Sequence, residues 1–453
     1  MKKQLFRINF KIVYSFTRKI PVMRIEELYE IFKQHPVIST DTRKISENCL
    51  FFALKGENFD ANTFASEAIE QGAAFAIVDN QALENNPRFI FVEDVLQTLQ
   101  DLANYHRKSL NIPVIGLTGT NGKTTTKELI NAVLSQKFKT SATLGNLNNH
   151  IGVPLTLLTV TPATEVAIVE MGANHQKEIE LLCSIAAPDY GLITNVGKAH
   201  LEGFGGFEGV KKGKGELYDF LAKSGGTVFI NQDNQHLLEM AQSRNFEHII
   251  YYGTSANAYV SGRLIANDPY LTVEWSDGNN KDIVKSQLTG IYNFENILAA
   301  IAIGKKFGLT AEQINQGISS YQPNNNRSQI IKTAKNTIIG DFYNANPSSM
   351  AVAIENIAKL DADNKILILG DMFELGEESE IEHKAIVQKA EESDFTKILF
   401  VGKEFFKNQN NKAVFLQNVE ELKSYLQENP IHNALILLKG SRGMKLEQII
   451  EYL

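Results

Sequence analysis

Gly116-Leu117-Thr118-Gly119-Thr120-Asn121-Gly122-Lys123-Thr124-Thr125-Thr126 stands between the apolar run Ile112-Pro113-Val114-Ile115 and a helix-like segment from Lys127 to Leu134. This order predicts a strand, a phosphate-cradling loop and a helix. Gly119 and Gly122 let backbone N–H groups turn toward phosphate oxygens, the helix N-terminus adds partial positive charge, and Lys123 adds a full one. Thr124 offers a hydroxyl to Mg²⁺. The strict pattern G-x-x-x-x-G-K-[ST] asks for glycine at 117, where the chain has Leu117, with Gly116 one residue early. A ligand-free Gly-Thr turn does not explain a lysine at this place.

A chain of 453 residues exceeds what one hydrophobic core serves, so two or three domains are expected. The net charge of −7, with no long basic stripe, argues against a nucleic-acid partner. Small phosphorylated ligands remain open to it. Cys49 and Cys183 are too far apart to form a metal or redox spacing, which fits a reducing, cytoplasmic setting. No run reaches about 18 apolar residues, so no membrane span is predicted. Residues 1–22 carry Lys2, Lys3, Arg7, Lys11, Arg18 and Lys19 without an acid, but their apolar stretches are too short for a signal peptide. They are read as a disordered extension, with Met23 as the working start.

Beyond it, Cys49–Leu54, Ala65–Gln71 and Ala74–Val78 alternate as strand, helix and strand, a βαβ unit within a first region at 23–111. A second region, 112–322, contains the phosphate loop and the apolar runs Val166–Val169, Leu192–Asn195 and Thr227–Ile230, which predict a mostly parallel sheet covered on both faces. Ala258–Val284 alternates more tightly around Asp277-Gly278 and reads as a small antiparallel insert. The Ser319–Asn326 stretch has linker composition, and a third α/β region, 323–453, opens with the strand at Asn336–Ile339.

Polar loops recur at the predicted C-terminal ends of strands, the edge that borders the ligand crevice of an open α/β sheet. Gly145-Asn146-Leu147-Asn148-Asn149 places amides that either ligate a substrate or cap turns and the next helix. Glu170 ends a buried strand and is either a hard oxygen ligand for Mg²⁺ or a loop carboxylate. His200 follows the next strand, as a ligand or a structural histidine. Lys211, Lys212 and Lys214 fall at the expected start of a helix at Gly213–Leu221, where they would oppose its dipole, so that at least one faces an anion or all lie on a solvated face. Asp341–Pro347, Gly370–Gly376 and Lys439–Gly443 cap strands of the third region, which suggests a site shared across an interdomain cleft.

Taken in order, these segments resemble the ATP-dependent Mur ligases of peptidoglycan synthesis, whose loop variant T-G-T-N-G-K-T accounts for the missing glycine. The resemblance implies an α/β fold of three domains: a smaller N-terminal domain that binds the UDP-substrate, a central ATP-binding domain of P-loop type, and a Rossmann-like C-terminal domain. Ser39–Arg43, Ala53–Ala61, Gly145–Asn149, Tyr343–Pro347, Gly370–Gly376 and Lys439–Arg442 look like the members that join D-alanyl-D-alanine to UDP-MurNAc-tripeptide through an acyl phosphate. It further implies ATP contacts at Gly119, Thr120, Asn121, Gly122, Lys123, Thr124, Thr125, Asn296, Arg327 and Asp341. Thr124 and Glu170 would hold one Mg²⁺, and His200 a second. Lys123, His200 and Lys214, the last as a carbamate, would act in catalysis, while Asp41, Thr42, Arg43, Asn146, Asn149, Asn344 and Asn346 would contact substrates. A monomer is expected. The rival readings are a sister ligase adding a single amino acid, a folylpolyglutamate-synthase-like ligase, and a nucleotide-driven switch that hydrolyses ATP without condensation.

Overall fold

The computed structural model describes residues 23–83, 86–323, 327 and 329–453. The expected extension at 1–22 and residues 324–326 of the expected linker lie outside the described residues. The chain divides into two compact units between Thr98 and Leu99, within the helix Val95–Ser109.

In the first unit the strands Ile38–Ser39, Leu50–Phe52, Phe75–Val78 and Phe89–Phe91 form a parallel sheet in that order. Leu50, Phe51 and Phe52 are all buried, as a strand covered on both faces requires. Phe51 packs with Ala65, Ala68, Ala76 and Val78. Cys49 and Cys183 are both buried free thiols.

The second unit holds two larger sheets. One has nine strands, with Val114–Thr118 between Val166–Glu170 and Tyr190–Ile193 and parallel to both. Every residue of the first two of these strands is buried. Ile115 and Leu117 share a core with Leu129, Ile130 and Val133 of the helix Lys123–Leu134 and with Ile297 and Ile301 of the helix Asn293–Lys306. Leu117, at the place of the missing glycine, is therefore a strand residue locked in the core, and the loop proper begins after Thr118.

Two local expectations change. Val260–Asn267, Leu271–Ser276 and Lys281–Lys285 do form an antiparallel ladder, and Asp277 accepts from Asn280 N (2.9 Å) in its turn. The ladder is not a separate insert, however, because Val260 pairs in parallel with Tyr252 and continues the main sheet. Val273, Trp275 and Val284 accordingly face the same core as the parallel strands. The lysine cluster also moves: its helix runs Phe207–Ser224, so Lys211, Lys212 and Lys214 lie beyond the first turn and the dipole argument does not apply to them. Lys211 pairs with Glu208 (2.9 Å), while Lys214 is 2% exposed.

The remaining sheet has six strands, Gln329–Lys332, Thr337–Asp341, Leu435–Lys439, Lys365–Gly370, Lys397–Val401 and Val414–Leu416 in spatial order. All but the first are parallel. The region thus opens one strand earlier than its apolar pattern indicates, because Gln329–Lys332 is a half-exposed edge. Along Lys365–Gly370 the side chains alternate between two cores, Leu367 and Leu369 in one, Ile366 and Ile368 in the other. Among the described residues no helix is long and apolar enough to cross a membrane.

Candidate active site

The loops at the C-terminal ends of these strands surround a cavity of about 1090 Å³ within the second unit. Its wall includes Thr120, Asn121, Gly122, Lys123 and Thr125 of the phosphate loop, Asn146, Asn149, Glu170, His200 and Asn296 of the central region, and Arg327, Asp341, Asn344 and Asn346 beyond it. Thr124 and Lys214 do not line it; both are buried. Asp41, Thr42 and Arg43 belong to the first unit, where Asp41 caps the short turn Thr42–Lys44 and pairs with Arg43 (2.8 Å), which holds the Asp41 carboxyl at about 2.

The loop's glycines are required by space as well as by conformation. Gly119 has φ +145° and a Cβ there would lie 2.0 Å from Thr194 Oγ1; Gly122 has φ +78° and its Cβ would lie 2.7 Å from Asn296 Oδ1. Asn195 clamps the loop by accepting from Asn121 N (3.0 Å) and donating to Asn121 O (3.1 Å). Lys123 Nζ donates to Gly119 O (2.8 Å) and Thr120 O (3.1 Å), and burial lowers its pKa to about 8. Asn296 is 6% exposed, accepts from Thr126 Oγ1 (2.9 Å) and donates to Asn293 Oδ1 (2.9 Å), so its amide plane is set before any nucleotide arrives.

Glu170 is held by groups that sequence reasoning did not single out. Asn148 Nδ2 donates to Glu170 Oε1 (2.8 Å), and Thr143 Oγ1 accepts from Glu170 N (3.0 Å). The fully buried Lys127 donates to Thr143 O (2.5 Å). Glu170 Oε2 and Thr124 Oγ1 are buried with no hydrogen-bond partner. Two orphaned hard oxygen atoms fit a Mg²⁺ ion that draws its other ligands from substrate phosphates and water. Among the described residues no group of three His, Cys, Asp or Glu side chains is arranged to hold a metal by itself. The neighbouring Asn149 acts differently: its Oδ1 accepts from Gly152 N (2.8 Å) at the start of the helix Gly152–Leu158.

The six-stranded region supplies the opposite wall. Lys439, 1% exposed, pairs with Asp341 (2.5 Å) and donates to Asn344 O (3.3 Å). The guanidinium groups of Arg327 and Arg442 lie 4.0 and 5.1 Å from the centre of the Tyr343 ring. Lys198 Nζ reaches Glu382 (2.5 Å), and His200 Nδ1 lies 2.5 Å from Glu374 Oε2. Lys439 and Glu374 belong to loops that the sequence marks as polar strand ends, but which side chain of each loop matters emerges only from the fold.

Asn346 joins the two walls. Its Oδ1 accepts from Ser349 N (2.9 Å), capping the helix Pro347–Lys359, while its Nδ2 donates to Asn121 Oδ1 (2.8 Å) in the phosphate loop. Asn346→Asp keeps the cap acceptor and replaces the donor by an anion. The variant is expected to melt within a few degrees of the parent yet show a raised KM for ATP, whereas Asn346→Ala also loses about 1 kcal/mol of cap stability. Thermal melts beside ATP titrations separate the two effects; equal KM values in Asn346→Asp and the parent would exclude the link to the loop.

Three family models match the chain in succession: the Mur ligase family catalytic domain at 36–114, the Mur ligase middle domain at 117–304, and the Mur ligase glutamate ligase domain at 326–442. The chain belongs to the Mur ligase family. It is 36% identical over 435 residues to the UDP-N-acetylmuramoyl-tripeptide--D-alanyl-D-alanine ligase of Bacillus subtilis, covering 91% of this chain and 92% of that relative. The structure of MurF from Acinetobacter baumannii superimposes with a TM-score of 0.83 at 31% identity, over 91% of this chain and 92% of that one. MurF ligase from Thermotoga maritima, solved in complex with ADP, gives 0.82 at 25% identity, over 92% and 96%.

Proposed function

We propose that the chain joins D-alanyl-D-alanine to UDP-MurNAc-tripeptide at the expense of ATP, giving UDP-MurNAc-pentapeptide, ADP and phosphate. What carries this reading is the near full-length match to UDP-N-acetylmuramoyl-tripeptide--D-alanyl-D-alanine ligases, together with one cavity that gathers a phosphate loop, a metal-competent carboxylate and cations from the opposite wall. A carboxylate does not acylate an amine unaided. The tripeptide carboxylate therefore attacks the γ-phosphorus, ADP leaves, and the dipeptide amine displaces phosphate from the acyl phosphate through a tetrahedral intermediate.

Phosphoryl transfer asks mainly for positioning and charge neutralisation. Lys123 and the N–H groups of Gly119–Thr125 would cradle the ATP phosphates, Asn296 the adenine, and Arg327 and Asp341 would close on the nucleotide from the third region. Thr124 and Glu170 would hold Mg²⁺, and His200 a second ion. Such ions, when bound, neutralise charge on the transferring phosphoryl group. Asp41, Thr42 and Arg43 would meet the UDP-sugar, and Asn146, Asn149, Asn344 and Asn346 the peptide substrates. We assign residues 23–111, 112–322 and 323–453 to the UDP-substrate, ATP and third domains. We also take the chain to act as a monomer, and ATP with a nucleotide sugar supports a cytoplasmic setting.

Phosphate release tests the reading. It is expected only with UDP-MurNAc-tripeptide, ATP and D-alanyl-D-alanine together, with stoichiometric pentapeptide by mass spectrometry. Release driven by a single amino acid would point to a sister ligase, and release without the UDP-substrate to an ATPase.

A further inference from the structure

The pairing of His200 with Glu374 joins two loops from different sheets. His200 follows the strand Tyr190–Ile193 and sits directly before the short helix Leu201–Phe204; Glu374 belongs to the loop after Lys365–Gly370. Both residues occupy the left-handed region, at φ +52° and +63°, a conformation that non-glycine residues hold only where their surroundings impose it.

Those surroundings are visible on the Glu374 side. Met372 N donates to Nε2 of the fully buried His383 (3.0 Å), whose Nδ1 meets Ser379 O (2.7 Å). Phe373 N donates to Ser441 Oγ (2.9 Å), and the Asp371 carboxylate accepts from Glu404 N (3.0 Å) and Phe405 N (2.9 Å). Gly376, at φ +56°, packs so closely that a Cβ would lie 3.1 Å from Glu202 Cβ, two residues beyond His200. The backbone on either side of Glu374 is thus tied down, while the Glu374 side chain itself is 58% exposed and, among the described residues, pairs ionically with His200.

Nδ1 makes no aligned hydrogen bond, but a ring lone pair 2.5 Å from a carboxylate, which only accepts, would be repelled, so the contact favours a hydrogen on His200 Nδ1. In the neutral ring this leaves Nε2 as the free acceptor or ligand. We infer that Glu374 is a positioning residue: it fixes the ring orientation and the Nδ1–H tautomer of His200, so that Nε2 is presented to the reacting phosphoryl group or its ion only when the third region stands against the central one. The inference rests on the role given to His200 above. A carboxylate behind a histidine ring is the arrangement that sets ligand basicity in metal centres, and its removal there costs about 10- to 100-fold.

The test uses the full-length protein labelled with ¹⁵N-histidine, free of metal and nucleotide. The His200 signal is assigned by its loss in His200→Gln. The parent is expected to show the Nδ1–H tautomer, Glu374→Ala a mixture of tautomers, and Glu374→Gln, which retains an oxygen acceptor, most of the parental pattern. In ligation assays, kcat of Glu374→Ala should fall about 10- to 100-fold with little change in KM for ATP, and that of Glu374→Gln by less than about 10-fold. An unchanged tautomer in Glu374→Ala, or a tautomer shift with parental kcat, overturns the inference. Failure of the parent protein to make pentapeptide would instead strike the proposed reaction, since the tautomer is read without substrates.

Discussion

Lys123→Met should lower kcat/KM for ligation by about 10³-fold, the scale seen when a charge aimed at a transferring phosphoryl group is removed. Methionine keeps the length of the side chain and discards its charge. The ammonium group turns back on Gly119 O and Thr120 O at 2.8 and 3.1 Å, and burial holds its pKa at about 8. Glu170 pulls that value up and Arg327 pushes it down, both less than burial does. Because burial disfavours the charged form, Lys123→Met is expected to match or exceed the parental melting temperature when no nucleotide is added. Phosphates arriving at the loop would move the pKa back toward its ordinary 10.5. ATP binding should therefore take up a proton between about pH 8 and 10.5, and not at pH 7, where Lys123 is already charged in both states. Calorimetry in buffers of different ionisation enthalpy reads this uptake directly. Parental turnover in Lys123→Met would remove the loop from the chemistry.

The phosphate loop was legible because its function depends on neighbours in the chain: a buried strand, two glycines and a lysine at fixed spacing. Even its departure from the strict pattern has a local cause, since Leu117 fills a core position between parallel strands. Glu170 and His200 could be placed in the same crevice from their positions after apolar runs, because parallel strands bring their C-terminal ends together. What could not be read is how remote side chains pair. Composition alone could not say which amide of Asn146, Asn148 and Asn149 caps a helix and which holds Glu170, and the fold divides those tasks between Asn149 and Asn148. Glu374 was one acid in a polar loop until the sheet positions set it beside His200. The edge strand Gln329–Lys332 escaped for a similar reason, because a half-exposed strand has no continuous apolar run to reveal it.

For Lys214 the sequence argument fails and a different physical argument replaces it. The expected conflict with a helix dipole disappears once the helix begins at Phe207, and burial takes its place. Burial pushes the Lys214 amine well below its ordinary pKa, the charge of Lys123 adds to this, and Glu178 and Glu216 oppose it less strongly. A neutral amine has the lone pair that attacks CO₂; the new N–C bond and loss of one proton to solvent convert a would-be cation into a carbamate anion. Such a product would retain one N–H, so the bond from Nζ to Ala173 O (3.1 Å) could persist with the carboxylate left available as a metal ligand. The Phe204 ring, 5.0 Å from Nζ, helps keep water from the group. Lys214→Ala is accordingly expected to lose about 10²- to 10³-fold in kcat, with partial recovery when a small carboxylate such as formate is supplied. Parent enzyme in CO₂-depleted buffer should lose activity and regain it with bicarbonate. With ¹³C-bicarbonate, a carbamate resonance should appear in the parent and be absent from Lys214→Ala. Full activity without CO₂, or the same resonance in both proteins, would leave Lys214 as a buried amine that supports the wall of the site without entering its chemistry.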